Sequence, residues 1–304
     1  MPWSRARPGT DTGNRVTVHA PSLHEKLAAA KAQLVAAGIP PAEAAVDVPL
    51  FACTILGWDR VRLLTERAGA PPDALEPRFS QWIARRIARE PAAYIVGVRE
   101  FWGIDFAVTP AVLIPRPETE FVVEEALEIL NSFGLEAPKI ADIGTGCGNI
   151  AISLAHEVSG ARVTATDVSR EALAIAAGNA ERYKVEDRIS FAQTRYLDGI
   201  DDSFDLIVAN PPYVKESDKE GLAPDVRHEP DVALFGGESG LRDVEGVLDA
   251  AVAKLRRGGW LVMEFGFGQE HDVRRLVGER PALRLDRVGA DLQGIPRTAV
   301  IQRL

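Results

Sequence analysis

Asn210-Pro-Pro-Tyr213 is a short segment whose residue types suit one task, the holding of a planar amino group. Two prolines fix φ and remove two backbone donors, and each pushes the residue before it into an extended conformation. The result is a rigid arm rich in acceptors and poor in donors. Asn210 supplies a side-chain oxygen, Pro211 a carbonyl, and Tyr213 a ring on which a planar amide or base can lie. A planar –NH2 group has two hydrogens and needs two acceptors. Its nitrogen is a poor nucleophile because the lone pair is delocalised. Hydrogen bonds to fixed acceptors return electron density to it and hold it in line with an electrophilic carbon. Positioning and preorganised dipoles then supply most of the catalysis. The plainer alternative is a strand-end turn that happens to contain Pro-Pro, and it stands only if no electrophile site accompanies the arm.

Such a site is written earlier in the chain. Asp142-Ile-Gly-Thr-Gly-Cys-Gly148 follows an apolar stretch and opens a helical one. Gly144, Gly146 and Gly148 permit a tight turn and a close backbone approach to a ligand. The spacing differs from the dinucleotide fingerprint, and no P-loop lysine is present. Asp142 suits a cationic ligand, such as a sulfonium cofactor with an ammonium on its methionine part. Asp167 closes the next strand, roughly 20 residues past the last glycine, which is the place for a carboxylate on ribose hydroxyls. A glycine turn with a helix-capping Asp167 is the plainer reading. Strand, glycines, helix, strand and acid together favour the cofactor.

The elements that must position these residues are readable as a pattern. From Lys139 onward, short apolar strands at Ile140–Ile143, Arg162–Thr166, Ile189–Ala192, Leu206–Ala209 and Trp260–Phe265 alternate with helical stretches. The helices are expected at Asn149–Glu157, Arg170–Tyr183, Val244–Leu255 and Gln269–Val277. The alternation predicts an α/β fold with a doubly wound, mostly parallel sheet, in which ligands sit at the carboxyl ends of strands. Arg284–Val288 and Arg297–Gln302 supply a closing antiparallel hairpin. Residues 22–90 read as a small helical domain, with helices from about Leu23, from Ala42 to Leu56 and from Asp73 to Ile87. Ala93–Ile114 reads as a β-hairpin. The expected organisation is an extension at 1–21, which is disordered, a helical domain at 22–90, a hairpin linker at 91–120 and the catalytic domain at 121–304.

Composition narrows the function. Of 304 residues, 46% are hydrophobic and 26% charged, as in an ordinary globular protein. A formal charge of −9 steers the chain poorly toward nucleic-acid phosphates. Two cysteines are too few for a disulfide framework or a zinc cluster, so no metal site is expected and a reducing, cytoplasmic setting is. No apolar run approaches the roughly 20 residues that span a bilayer.

The chain resembles the peptide chain release factor glutamine methyltransferase family over about residues 22–304. The resemblance rests on Glu90-Pro-Ala-Ala-Tyr-Ile-Val-Gly97, Arg99-Glu-Phe-Trp-Gly103, Leu113-Ile-Pro-Arg-Pro-Glu-Thr-Glu120, the glycine loop and Asn210–Tyr213. It continues in Asp225-Val-Arg-His-Glu-Pro230 and Ala233-Leu-Phe-Gly-Gly237. It implies a Rossmann-like methyltransferase that uses S-adenosyl-L-methionine. It implies as substrate the glutamine of the Gly-Gly-Gln loop in class 1 release factors, with the N-terminal helices binding that partner and no nucleic acid or membrane involved. By the same resemblance Gly144, Thr145, Gly146, Cys147, Gly148 and Asp167 contact the cofactor. Asn210 contacts cofactor and substrate, and Pro211, Pro212 and Tyr213 line the glutamine pocket. Many members place an aromatic against the adenine. Here Gln193-Thr-Arg-Tyr-Leu-Asp198 puts Arg195 at that place without gaps, or Tyr196 with a one-residue gap.

Rival readings are a glutamine methyltransferase of a ribosomal protein and an adenine or cytosine amino-methyltransferase of nucleic acid. The Arg116–Glu120 text favours the release-factor branch. A flipped base needs a basic groove and stacking aromatics, whereas basic residues here are scattered. Other features read as structural. Cys147 fits a loop that takes small residues, and Phe101, Trp102 and Phe106 pack the hairpin. His228 is a lone histidine with no partner asking for a base. Glu118, Glu120, Glu124, Glu125 and Glu128 read mostly as a solvated helix face, with Glu118 reaching the site as the alternative.

Overall fold

The computed structural model describes residues 21–134 and 137–304, and these fall into two compact units divided between Ala88 and Arg89. The expected disordered extension, 1–21, lies outside the described residues apart from Pro21.

The N-terminal unit is helical: α1 (Leu23–Ala36), α2 (Pro41–Leu56), α3 (Arg60–Glu66) and α4 (Arg78–Ile87). A reciprocal capping box starts α1. The Ser22 hydroxyl accepts from the Glu25 amide at 3.2 Å, and the Glu25 carboxylate accepts from the Ser22 amide at 2.8 Å. Leu23, Leu34, Phe51, Leu75 and Phe79 make its small core. Arg86 is buried among them and donates to Asp47 at 2.7 Å and Glu43 at 2.8 Å, which satisfies a charge that burial would otherwise make costly. The sequence pattern missed α3, and it ran α4 back to Asp73, where a separate single turn, Asp73–Leu75, precedes it.

The second unit begins with α5 (Ala92–Val96), β1 (Val98–Phe101) and β2 (Ile104–Ala107). The hairpin is therefore shorter than the expected 93–114. Pro91 favours a helix start, and Gly97, at φ 83°, ends α5 in the left-handed region. Trp102 and Gly103 both have positive φ, which gives the two-residue turn whose twist matches the paired strands. Phe101 and Phe106 lie buried edge to face beneath it, as packing residues.

The remaining elements are α6 (Glu120–Phe133), β3 (Lys139–Ile143), α7 (Asn149–Glu157), β4 (Arg162–Asp167), α8 (Arg170–Arg182) and β5 (Ile189–Gln193). They are followed by β6 (Phe204–Ala209), α9 (Asp231–Leu234), α10 (Arg242–Lys254), β7 (Leu255–Glu264), α11 (Glu270–Gly278), β8 (Leu283–Ala290) and β9 (Pro296–Arg303). The sheet runs β5-β4-β3-β6-β7-β9-β8, parallel from β5 to β7, with β9 and β8 antiparallel at one side. Side chains alternate between its faces. Ile140, Leu206, Val208 and Val262 pack in one buried cluster with α6 and α7. Ala141, Ile143, Ile207 and Leu261 pack in the other with α10 and α11. The sheet is thus covered on both sides, as a doubly wound fold requires. The chain leaves β3 toward β4 on one side and reaches β6 on the other. That reversal is the switch point at which such folds bind ligands, and it brings the glycine loop after β3 beside the arm after β6.

The acidic run on α6 is less solvated than its composition suggests. The Glu120 carboxylate accepts from the Trp102 amide at 3.0 Å, and Glu125 and Glu128 pair with Arg287 of β8. Among the described residues no helix is long and apolar enough to cross a membrane.

Candidate active site

A cavity of about 1030 Å³, counted with its open mouth, lies at the carboxyl ends of β3, β4 and β6. Gly144, Thr145, Gly146, Asp167, Arg195, Asn210, Pro211 and Pro212 line it. Asp142, Cys147, Gly148 and Tyr213 stand behind its wall.

The loop owes its shape to backbone that only glycine adopts freely. The amides of Gly144 and Thr145 both donate to the Thr166 carbonyl at 2.9 Å, which fastens the loop across β4. A Cβ on Gly144 or Gly146 would meet no protein atom within 4 Å, so the space beside them, on the cavity side, is open. Gly148 is the opposite case. A Cβ there would lie 2.8 Å from Ile152 Cδ1 and 3.2 Å from Ala176 Cβ, so its missing side chain lets α8 close against α7.

Asp142 is fully buried and anchors the loop from below. Its Oδ2 accepts from the Thr145 hydroxyl at 2.6 Å and from the Ala151 amide at 3.2 Å, while its Oδ1 is buried with no partner. Burial pushes its carboxyl up to about 7, against the two hydrogen bonds. The sequence reading put Asp142 in contact with a cationic ligand. Here it supports residues that line the cavity, with Oδ1 left without a partner. Burial likewise pushes the Cys147 thiol up to about 12, so it stays a neutral packing group, and its carbonyl accepts from Asn179 at 2.9 Å.

Asp167 is not the cap of α8. Ser169 is, its hydroxyl accepting from the Ala172 amide at 3.1 Å. The Asp167 carboxylate accepts from the amides of Gly146, at 3.0 Å, and Ser169, at 2.8 Å, and burial raises its pKa. Fixed on both oxygens and still lining the cavity, it has lone pairs left for hydroxyl donors. Arg195 and Tyr196 both face the cavity, so the gapped and ungapped readings of Gln193–Asp198 each name a wall residue. The Arg195 guanidinium lies 5.5 Å from the Tyr196 ring centroid and 3.5 Å from Asp243, which also accepts from the Tyr196 hydroxyl at 3.0 Å. Asp243 is buried at the start of α10 and went unread in the sequence.

The arm is held from behind. Asn210 donates its amide nitrogen to the Thr119 hydroxyl at 3.0 Å, and Thr119 donates in turn to Glu264 at 2.6 Å. Tyr213 does not line the cavity. Its hydroxyl donates to the other oxygen of Glu264 at 3.1 Å, and its carbonyl accepts from Gln269 at 3.0 Å. Burial, with Glu264 beside it, raises the Tyr213 hydroxyl above the usual phenol range. Tyr213 thus fastens the arm behind its lining residues. Beyond it, Val214 bridges Phe235, and a Cβ on Gly236 would lie 2.5 Å from the Pro212 carbonyl. Arg116 and Glu229 tie two of the motif segments together. Glu229 is buried and accepts from the Ile114 amide at 3.1 Å and from the Arg116 guanidinium at 2.5 Å.

These placements test the fit of S-adenosylmethionine on the chain itself. A glycine cradle with open space, a fixed carboxylate, and an acceptor arm facing the same cavity are the parts that a nucleoside, an amino-acid tail and an amide substrate require. Thr119, Glu264, Asp243 and Gln269, which hold the lining and arm residues by hydrogen bonds, carry no site signal in the sequence pattern but one. That one is Glu264, a lone charge closing the apolar run Leu261-Val-Met.

Residues 124–226 match the family described as Methyltransferase small domain, and residues 25–97 match the PrmC N-terminal domain. The release factor glutamine methyltransferase of Bradyrhizobium diazoefficiens is 40% identical over 265 residues, 86% of this chain and 89% of its own length. The enzyme of that name from Moorella thermoacetica is 40% identical, over 93% of this chain and 99% of its own. Among solved structures, the hMettl16 catalytic domain in complex with a 3′UTR hairpin shares the fold. It matches with a TM-score of 0.55 at 18% identity, covering 71% of this chain and 81% of that one.

Proposed function

The chain belongs to the release factor glutamine methyltransferase family, and from that membership we propose that it methylates the side-chain amide nitrogen of the Gly-Gly-Gln glutamine in class 1 release factors. The observation that carries the reading is the orientation of Asn210. Its nitrogen donates to Thr119, so its Oδ1 is the end left for the cavity, which Pro211 also lines.

S-adenosylmethionine supplies a methyl carbon on a sulfonium, and its leaving group is a neutral thioether. Asp167 would hold the ribose hydroxyls, the backbone of Gly144–Gly146 would take the amino-acid part, and Arg195 or Tyr196 would meet the adenine. Asn210 Oδ1 and the Pro211 carbonyl take the two amide hydrogens of the substrate glutamine. Both acceptors are set before the substrate arrives, so little reorganisation remains at the moment of transfer. No side chain has to remove a proton first: the nitrogen turns acidic only as the new C–N bond forms and the methyl–sulfur bond breaks, and its proton then passes to solvent. The test is transfer of labelled methyl to a purified class 1 release factor, with a Gln→Ala substitution in its Gly-Gly-Gln loop. Label on the parent factor and none on the variant is expected. Equal label on both would overturn the assignment.

A further inference from the structure

We propose, resting on the role given to Asn210 above, that Glu264 is a positioning residue that sets the direction of the hydrogen bonds in the acceptor arm. An asparagine amide has two ends of nearly equal shape and opposite hydrogen-bonding character, and only the oxygen end is useful to a substrate –NH2. Something must choose between them.

Glu264 ends β7, pairs with Thr298 of β9 and is 1% exposed. Its two oxygens contact two hydroxyls, Thr119 at 2.6 Å and Tyr213 at 3.1 Å. In its ionised form the carboxylate only accepts, and both hydroxyls donate to it, Thr119 to Oε2 and Tyr213 to Oε1. Thr119 has one hydrogen, which is thereby committed, and its oxygen can then only accept. The neighbour at 3.0 Å is the Asn210 amide, and its nitrogen is the only end able to donate. Turned the other way, Asn210 would set oxygen against oxygen at Thr119 and present N–H groups to the substrate's N–H groups. The choice made at Glu264 thus passes through Thr119 to the atom that faces the cavity. Through Tyr213 the same carboxylate fastens the far end of the arm.

Its setting is unusual for a group that served packing alone. Burial raises the pKa of Glu264, and Glu118 adds to this, while the two hydroxyls and Arg297 oppose it. Among the described residues no cation lies within ion-pair distance of it. A buried carboxylate without a cation is costly, and a neutral residue of its size would fill the space more cheaply.

The experiment compares Thr119→Val, Thr119→Ser and Glu264→Gln in the full chain, with Asn210→Ala as reference. It measures kcat and KM for a purified class 1 release factor, the cofactor dissociation constant by calorimetry, and the melting temperature. Thr119→Val and Glu264→Gln are expected to lower kcat by about tenfold or more, a smaller loss than removal of a directly contacting group. Cofactor affinity should change by less than about threefold, since the network does not reach Asp167. Thr119→Ser restores the hydroxyl and should restore kcat. The Thr119→Val/Glu264→Gln double variant should be no slower than the worse single one, because both cut one relay. Parent kcat in Thr119→Val and in the near-isosteric Glu264→Gln, with Asn210→Ala inactive, overturns the proposal and leaves the reading of the arm intact. Parent kcat in Asn210→Ala removes that reading and the proposal with it. A lowered melting temperature at unchanged kcat assigns Glu264 to stability alone and also overturns the proposal.

Discussion

We propose separable roles for three carboxyl or amide groups at or beside the cavity, and single substitutions divide them. Asn210→Ala should leave cofactor affinity nearly unchanged and lower methyl transfer by at least about 100-fold, the scale for loss of one preorganised group. Steady-state kinetics on the release factor beside calorimetry on the cofactor checks both halves. Asp167→Ala should do the reverse. Its oxygens are charge-assisted acceptors worth roughly 1.5–3 kcal/mol per bond, so affinity for S-adenosylmethionine should fall about tenfold or more. Turnover at saturating cofactor should move little, and an unchanged dissociation constant would reduce Asp167 to a loop tie. Asp142 answers to pH. Its carboxyl titrates at 3.8 when unperturbed and about 7 in the fold, so the unfolded chain releases the proton first. The group's contribution to stability is present below pH 3.8 and lost as pH rises to about 7. Without cofactor, the parent's melting temperature should therefore drop between pH 5 and pH 8 by more than that of Asp142→Asn. Parallel curves would show that the buried carboxyl is not shifted.

Elements place these groups, and here the sequence was read unevenly. The strands β3 to β6 and the helices between them were readable nearly to the residue, because apolar runs and glycine punctuation agree with one another. β7 was read from Trp260 and begins at Leu255, since Arg256-Arg-Gly-Gly carries no apolar signal and a register irregularity separates the Phe204 and Leu206 pairings. α3 was too short for a period, although Asp59 caps it by accepting from the Arg62 amide at 2.7 Å. The lining of the cavity was readable from its motifs. The supports were not: Thr119, in the turn before α6, and Glu264, at the end of β7, lie 145 residues apart, and only the tertiary fold brings them together. Gly148→Ala tests an element contact directly. It adds a methyl against Ile152 and Ala176 at a φ of 85°, and overpacking of that kind costs about 1–3 kcal/mol. Denaturant unfolding should show the loss. Parent stability would mean that α7 and α8 have room to part.

At the scale of the whole chain, selection of the substrate is the open demand. One glutamine side chain offers few contacts, and remote surface must supply the rest of the binding energy and part of the alignment. Residues 21–88 form a unit of their own without the glycine loop or the acceptor arm, and recognition of the factor is the role we propose for them. The isolated unit 89–304 should bind cofactor and methylate the intact factor poorly, with a thermal melt run beside the assay to establish folding. Transfer at the parent rate by a folded unit would assign selection to the catalytic unit instead. The sheet order also bears on how the chain is made. β9 lies between β7 and β8 yet follows both in the chain, so a chain emerging from the ribosome exposes the apolar edge of β7 until its last strand arrives. An open edge of that kind is a template for pairing with other chains. A stop codon ahead of Pro296 would leave it permanently uncovered, and with it Glu264, whose strand partner is Thr298. Such a product should be recovered in aggregates although every residue that lines the cavity is present.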